Sequence, residues 1–436
     1  MSIEILTLLF FGSLLLFIFL GVPLVFVLGG VSVVFLYFTW GFDSFYMVAS
    51  QIWSTMGSFT LVAIPLFVFM AMVLERTGVA RDLYRTMHLW FGGLRGGLAI
   101  GTLVICAIFA AMVGISGAAV VAMGTIALPA MLERGYDKKM SLGVINTGGG
   151  WGILIPPSIM MILYALISGV SVGKMFAAGV LPGILLMVLT GAYVLIRSNL
   201  QPDLAPALPP EERASMREKI ASLRSVALPV LIVVMVLGSI VGGITTPTEA
   251  AAMGVLGSLI AAAVYRKLDF ALLKEASIRT FKLTGMIMWI LFAAHAFSAA
   301  YQSMGAQSLI EGIFAQIPGG PWGVILAMML LTFVLGMVLD PVGIMLITLP
   351  VFLPIVNALG FDPIWFGILF VINMEIGYMT PPFGFNLFYL KGIVPPGVTM
   401  KDIYTSVIPF VLIEILALVL LAIFPEIVTY LPNLLF

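Results

Sequence analysis

Asp340 is the only charged residue in an otherwise uncharged apolar run from residue 312 to residue 361. An acid in such a run is costly in lipid and marks a functional position by default. Pro341 follows it, and further along the chain come Asn373, Glu375, Gly377, Thr380 and Asn386. Carboxylate, amide and hydroxyl oxygens, together with carbonyls freed at a helix break, are donors that suit Na+ or a proton. A second set offers similar chemistry without a lone acid: Ser116 and Gly117, then Asn146, Thr147, Gly148, Gly149 and Gly150. Each set has a structural rival. Asp340 can cap a helix that begins at Pro341, a role compatible with ligation. The glycines can serve as a kink with close small-residue packing. Glu375 either pairs with the other half of the chain or faces a water-filled cavity. His295 lies in an apolar run, as a proton shuttle or as a hydrogen-bonded packing residue, and His88 falls on a surface segment. Thr246-Pro247-Thr248-Glu249 has the form of a capped helix start.

The two sets are related by an internal duplication. A single shift of 225 positions brings Pro129 onto Pro354, Gly135 onto Gly360, Asp137 onto Asp362, Gly152 onto Gly377, Pro156 onto Pro381, Pro157 onto Pro382 and Tyr164 onto Tyr389. Paired Gly/Pro interruptions at corresponding places in two apolar halves point to the binding site of a secondary transporter. Helix breaks in lipid leave backbone groups unsatisfied, and they persist where they line a cavity or bind a solute. Helix starts beyond Pro156-Pro157-Ser158 and Pro381-Pro382 present N–H groups that attract a carboxylate without a buried Arg. The expected substrate-binding set is therefore Ser116, Gly152, Pro156, Pro157, Ser158, Thr380, Pro381, Pro382 and Asn386.

The elements that must position these residues follow from composition. The chain has 436 residues, 62% hydrophobic and 9% charged, against about 25% charged in ordinary soluble domains. It is expected to be an all-α polytopic membrane protein, since apolar stretches of about 20 residues cross a bilayer. Its formal net charge is zero, which points to no nucleic-acid partner. Cys106, the single cysteine, excludes an internal disulfide. The start Met1-Ser2-Ile3-Glu4 lacks a basic region, so residues 5–20 are expected to be a retained first helix. The sequence has no H-E-x-x-H, no G-x-x-x-x-G-K-[ST] and no cysteine cluster, and no nucleophile/base pair stands out. It therefore points to a transporter without a cofactor, driven by an ion gradient or a partner, rather than to an enzyme.

Lys and Arg fall in blocks at 76–95, 134–139, 197–224, 266–282 and 391–401, with Lys174 alone outside them. The positive-inside rule makes these blocks cytoplasmic. The resulting path divides the chain into a first repeat at 1–197, a cytoplasmic linker at 198–225 and a second repeat at 226–436. The first repeat holds scaffold helices at 1–74, with 49–74 as one crossing, and a surface arm at 76–95. A re-entrant hairpin at 96–132 follows, then a helix at 141–167 broken at Gly148-Gly149-Gly150, and a helix at 176–197. The second holds scaffold helices at 226–300, an arm at 305–317, a hairpin at 321–359, a helix at 363–390 broken over 377–382, and a final helix at 404–430. An odd number of crossings per half makes the second half inverted. The rival topology treats both hairpins as ordinary pairs of spanning helices.

These residues resemble the large membrane subunit of the tripartite ATP-independent periplasmic (TRAP) transporters. The resemblance covers essentially the whole chain. It rests on Gly21-Val22-Pro23, Gly114-Ile115-Ser116-Gly117, the segment 149–158, Thr246-Pro247-Thr248-Glu249-Ala250-Ala251, Asp340-Pro341 and the segment 377–382. The first hairpin tip departs from some members at Ala118-Ala119, where hydroxyls would be expected. The resemblance implies a Na+-coupled importer of a small organic anion in the bacterial inner membrane. The substrate would be a C4-dicarboxylate, a sialic or other sugar acid, or a 2-oxo acid. It further implies an elevator motion, in which the hairpins and broken helices slide against a scaffold. The implied partners are a small four-helix membrane subunit, separate because this chain opens on the large-subunit pattern, and a periplasmic substrate-binding protein. Carried over, Ser116, Asn146, Gly149 and Gly150 would form one Na+ site and Asp340, Gly377 and Thr380 the other, with substrate between the hairpin tips. The alternative is a stand-alone inverted-repeat carboxylate transporter or a cation/proton antiporter, which would not depend on a binding protein.

Overall fold

Apolar runs become helices here, and clusters of Gly, Pro and Asp start or stop them. The computed structural model describes residues 2–436, with no strand among them. The first half runs α1 (Ile3–Phe19), α2 (Leu24–Trp40), α3 (Ser44–Met56), α4 (Ala63–Arg76), α5 (Val79–Phe91), α6 (Gly97–Val113), α7 (Ser116–Glu133), α8 (Lys138–Gly150), α9 (Ile159–Ser168) and α10 (Val172–Leu200). A short α11 (Met216–Ser222) lies in the connection. The second half runs α12 (Arg224–Val241), α13 (Pro247–Val264), α14 (Phe270–Ser303), α15 (Ala306–Ala315), α16 (Gly320–Gly336), α17 (Pro341–Ala358), α18 (Pro363–Tyr378), α19 (Phe385–Lys391), α20 (Met400–Ile423) and α21 (Glu426–Leu435). Among the described residues, eight helices are long and apolar enough to cross a membrane.

The order of elements occurs twice. Three helices (α1, α2, α4), a short arm (α5), a hairpin (α6–α7), an interrupted helix (α8, α9) and a long helix (α10) recur as α12, α13, α14, α15, α16–α17, α18, α19 and α20. Several residues paired by the sequence shift do the same work in both halves. Asp137 caps α8 by accepting from the Met140 N–H at 2.8 Å, and Asp362 caps α18 by accepting from the Ile364 N–H at 2.6 Å. Each such cap is worth about 1 kcal/mol. Gly135 and Gly360 follow the second helix of each hairpin with φ of 76° and 78°, a left-handed conformation that favours glycine. Pro129 and Pro354 sit inside α7 and α17. The peptide bonds Pro156-Pro157 and Pro381-Pro382 are both cis.

Two layers organise these elements. In one, α14 packs on α2 and α4, and α13 packs on α4 and α12. The other is built around α8 and α18. Every residue of α8 from Met140 to Gly150 is buried, as is every residue of α18 from Trp365 to Tyr378. Helices α6, α7 and α20 surround α8, while α10, α16, α17 and α20 surround α18. The arm α5 turns Val79, Ala80, Leu83 and Met87 inward and leaves Arg81 and Arg85 exposed, the spacing of an amphipathic helix.

The structure departs from the sequence expectations in several places. The expected single crossing at 49–74 is divided. α3 ends at Met56 with Gly57 as its cap, a 3-10 turn follows at Phe59–Val62, and α4 begins only at Ala63. The Ser-Thr-Met-Gly-Ser stretch favours local turns over a continuous helix. Gly148, Gly149 and Gly150 are helical, and the interruption comes after them, over 151–158. α14 continues N-terminally beyond its apolar part, through the charged stretch of Lys274, Glu275, Arg279 and Lys282, to Asp269, which caps it by accepting from Leu272 N–H at 2.7 Å. The final helix stops near Pro425, and α21 is separate. The connection 198–225 is ordered against the arm and the hairpin base. Trp90 Nε1 donates to the Lys219 carbonyl at 3.0 Å, Leu208 N–H to Gly92 at 2.8 Å, and Asp137 N–H to Leu204 at 2.7 Å.

Candidate functional site

The hairpin tips are packed onto the interrupted helices through glycine. Gly152 lies so near the first tip that a Cβ there would stand 2.7 Å from the Ile115 carbonyl carbon and 2.9 Å from Ser116 N. Gly114 is equally close to the other side of the break, 2.7 Å from the Pro157 carbonyl oxygen by the same measure. In the second half Gly377 meets Gly336 of α16, where a Cβ would stand 2.8 Å from the Gly336 Cα. Such backbone approach requires small residues.

The two hairpins also meet each other. Ser116, the first residue of α7, is 2% exposed. Its hydroxyl stands beside that of Tyr378, at the end of α18, with the Tyr389 hydroxyl as a further neighbour and Asp340 within electrostatic reach. Tyr389 belongs to α19 of the second half, yet its ring packs on Gly117 of α7. Asp340 caps α17, accepting from Gly343 N–H at 3.1 Å, as its sequence position beside Pro341 predicts. The structure thus brings Ser116 from one half and Asp340 and Tyr378 from the other to one place. The surrounding Pro382, Phe383 and Tyr389 are exposed, so this place reaches the protein surface.

The other expected site residues have distinct surroundings. Asn146 and Asn386 are fully buried, and neither amide has a hydrogen-bond partner. Gly149 abuts Val120 of α7, and Gly150 abuts the Glu375 carboxyl. The Ser158 hydroxyl donates to the Ile153 carbonyl at 2.6 Å, and the Thr380 hydroxyl donates to the Ile376 carbonyl at 2.5 Å. Both hydroxyls therefore stabilise the interruptions directly. Pro382 offers its carbonyl to the Tyr404 hydroxyl at 2.7 Å, while Pro381 is half-buried. Pro156 lines a small apolar cavity with Ala107, Val180 and Leu237, and Pro157 contacts the first tip. His295 lies elsewhere. It lines a cleft of about 330 Å³ between α9, α14 and α17.

The family model described as "Tripartite ATP-independent periplasmic transporter, DctM component" matches residues 11–427. The chain belongs to this family. Among curated TRAP relatives, it is 36% identical to the C4-dicarboxylate large permease protein DctM of Pseudomonas aeruginosa, over 90% of each chain. It is 34% identical to the ectoine large permease TeaC of Halomonas elongata, over 86% of this chain and 87% of that one. It is 30% identical to the isethionate permease DctMQ of Oleidesulfovibrio alaskensis, over 88% of this chain and 59% of that longer one. As a TRAP large permease it is a polytopic inner-membrane transport protein, a component of a three-part transporter and not an enzyme. Among solved structures it is similar to the Alcanivorax borkumensis YdaH transporter (TM-score 0.65, 14% identity, 95% of this chain and 98% of that one). It is also similar to Neisseria gonorrhoeae MtrF (TM-score 0.63, 13% identity, 94% of each). At these identities the likeness concerns the fold.

Four residues of this region escape the sequence reading. Tyr378 and Tyr389 follow the Gly377 break and contact the first hairpin tip; the duplication marks Tyr389 as a matched position, but nothing in an aromatic residue of an apolar chain signals that contact. Trp151 is fully buried in the interruption with its indole N–H unpaired. Glu414 is fully buried on α20. It does carry a signal, as the only charged residue between Asp402 and Glu426, the same kind of mark that singles out Asp340.

Proposed function

We propose that this TRAP permease moves a small organic anion inward, coupled to Na+. The substrate class is a carboxylate: a C4-dicarboxylate, a sugar acid such as sialic acid, or a 2-oxo acid. One observation carries this reading. Ser116 and Asp340, from hairpins in opposite halves, converge on Tyr378 beside both helix interruptions. Hydroxyl, carboxylate and freed carbonyl oxygens there suit Na+. The first set would be Ser116, Asn146, Gly149 and Gly150, and the second Asp340, Gly377 and Thr380. Helix starts at α7 and α9 add partial positive charge for the anion. The tips themselves, at 113–117 and 337–341, carry no Lys or Arg.

The halves are inverted in the membrane, with Lys/Arg blocks on the cytoplasmic side. The layer around α8 and α18 moves as an elevator against the layer of α2, α4, α13 and α14. Exposed Phe42, Tyr46 and Trp53 around α3 support docking of the small four-helix membrane subunit, and a periplasmic binding protein delivers the substrate. Names of relatives that specify C4-dicarboxylate, ectoine and isethionate support an organic solute as cargo. The test is uptake by proteoliposomes holding this chain and its small subunit. A carboxylate panel is offered with and without inward Na+ and with and without the cognate binding protein. Uptake that needs both supports the proposal, and uptake indifferent to Na+ overturns it.

A further inference from the structure

The apolar part of α14 is interrupted by His295, Ser298 and Gln302, whose spacing puts them on one face of the helix. That face looks into the cleft of about 330 Å³ that α14 shares with α9 and α17, a volume at the small end for a ligand site. Leu291, Leu346, Leu349 and Leu353 form its apolar walls. Asn357 of α17 and Ser168, the last residue of α9, join the polar side. Gln302 and Asn357 are both exposed, so the cleft opens between them.

Charge and hydrogen-bonding capacity decide what fits there. No Asp, Glu, Lys or Arg lines the cleft. α9 and α17 contain none, and those of α14 end at Lys282, roughly 14 Å along the helix from Leu291 and further from His295. An ion entering the cleft would lose water without gaining a counter-ion. Donors are already engaged: the Ser168 hydroxyl donates to the Tyr164 carbonyl at 2.7 Å, and Gln302 Nε2 donates to Ser298 at 3.3 Å. Backbone acceptors are in surplus. Pro350 and Pro354 have no N–H for the carbonyls four residues earlier, at Leu346 and Pro350, and both of those residues line the cleft. The last carbonyls of α9, at Leu166, Ile167 and Ser168, lack partners within their helix. A ligand must therefore bring donors without bringing charge. Hydroxyl groups meet that need, and they also accept from the amides of Gln302 and Asn357 and from the His295 imidazole.

We infer that this cleft binds an uncharged aliphatic compound with a hydroxyl-bearing head, its chain against the leucines and its hydroxyls among His295, Gln302 and Asn357. None of the residues proposed for Na+ or for the carboxylate cargo lines it, so the site is separate from both. The ligand touches α14 of one layer and α17 of the other and so holds the layers in one register. That consequence rests on the elevator motion proposed above, whereas the binding itself does not.

Photolabelling of the purified full chain in lipid nanodiscs tests this, with a diazirine-bearing analogue of octanediol as the probe. Adducts mapped by mass spectrometry should fall within 291–302 and 346–357. Excess octanediol should suppress them, and sodium octanoate, of equal length but anionic, should not. Monooleoylglycerol, which stays in the bilayer, separates two sources of the same chemistry. Competition by it makes the ligand a membrane lipid, and competition by octanediol alone makes it a solute from the aqueous phase. Ala294→Phe, which fills the cleft, should abolish the adducts. If that variant fails to fold, Asn357→Leu at the exposed mouth should weaken them. Adducts scattered over lipid-facing helices without competition overturn the inference, and so does octanoate competing as well as the diol. In proteoliposomes octanediol should also slow uptake. Labelling at the cleft with uptake unaffected upholds the site and counts against the elevator motion instead.

Discussion

Gly150 and Glu375 occupy the same position of the duplicated segment, 225 residues apart, and they touch: a Cβ on Gly150 would stand 2.7 Å from Glu375 Oε1. Equivalent residues of two repeats can be neighbours only near the axis that relates the repeats. The contact therefore places the centre of the duplication between α8 and α18, the two most buried helices. Gly150→Ala should push into the Glu375 carboxyl and cost about 1–3 kcal/mol, the usual penalty for overpacking. Gly238→Ala, with nothing within 4 Å of the added methyl, should be neutral or slightly stabilising. Thermal unfolding of both variants in detergent checks the contrast, and equal stability would contradict the packing described.

Tyr164 ties the halves together on the far side of the first interruption. Its hydroxyl donates to the Pro363 carbonyl at 2.5 Å, and its ring packs on Gly367. Tyr164→Phe keeps the ring and removes the donor. It should cost about 1 kcal/mol, read as a lowered unfolding midpoint with transport retained.

Accessibility tests the inverted hairpins. The natural Cys106 is 0% exposed, so it should stay silent to impermeant thiol reagents. Arg95→Cys and Asn357→Cys, exposed at the bases of the first and second hairpins and placed one at a time, should label from opposite sides of the membrane. The same labelling pattern for both would contradict inversion.

The arm makes a pH prediction. Burial pushes the His88 imidazole below its usual range, and Arg134 adds to the effect against a smaller opposing pull from Glu212. The unfolded chain then binds more protons than the folded one as pH falls through about 6.5. The contribution of neutral His88 to stability is complete above that value and is lost as pH drops toward the lowered folded value. Replacing it with Gln should flatten the stability curve in this window. An unchanged slope in the variant would contradict the assignment.

The parts of this fold legible in the sequence are those where one residue does one local job. Asp137 and Asp362 cap, Gly135 and Gly360 turn left-handed, and Thr246 with Glu249 forms the expected capping box. The glycine triplet misleads for a physical reason. Gly148, Gly149 and Gly150 face Cys106, Val120 and Glu375, so their small size serves packing and the helix continues through them. The division of 49–74 was hidden because an apolar run shows its length but not its continuity. Glu414 has no acidic counterpart in the first half, where Leu189 takes the matching place, so a reading built on the duplication passes over it.

The account rests most on Ser116 and Asp340 acting as Na+ ligands from opposite hairpins. The direct measurement is the Na+ concentration dependence of uptake in proteoliposomes for the wild-type chain, Ser116→Ala and Asp340→Asn, each with its small subunit and binding protein. The account predicts that each substitution raises the Na+ needed for half-maximal uptake by about 10-fold, equivalent to about 1.4 kcal/mol of lost binding. Unchanged Na+ dependence in both variants would contradict it.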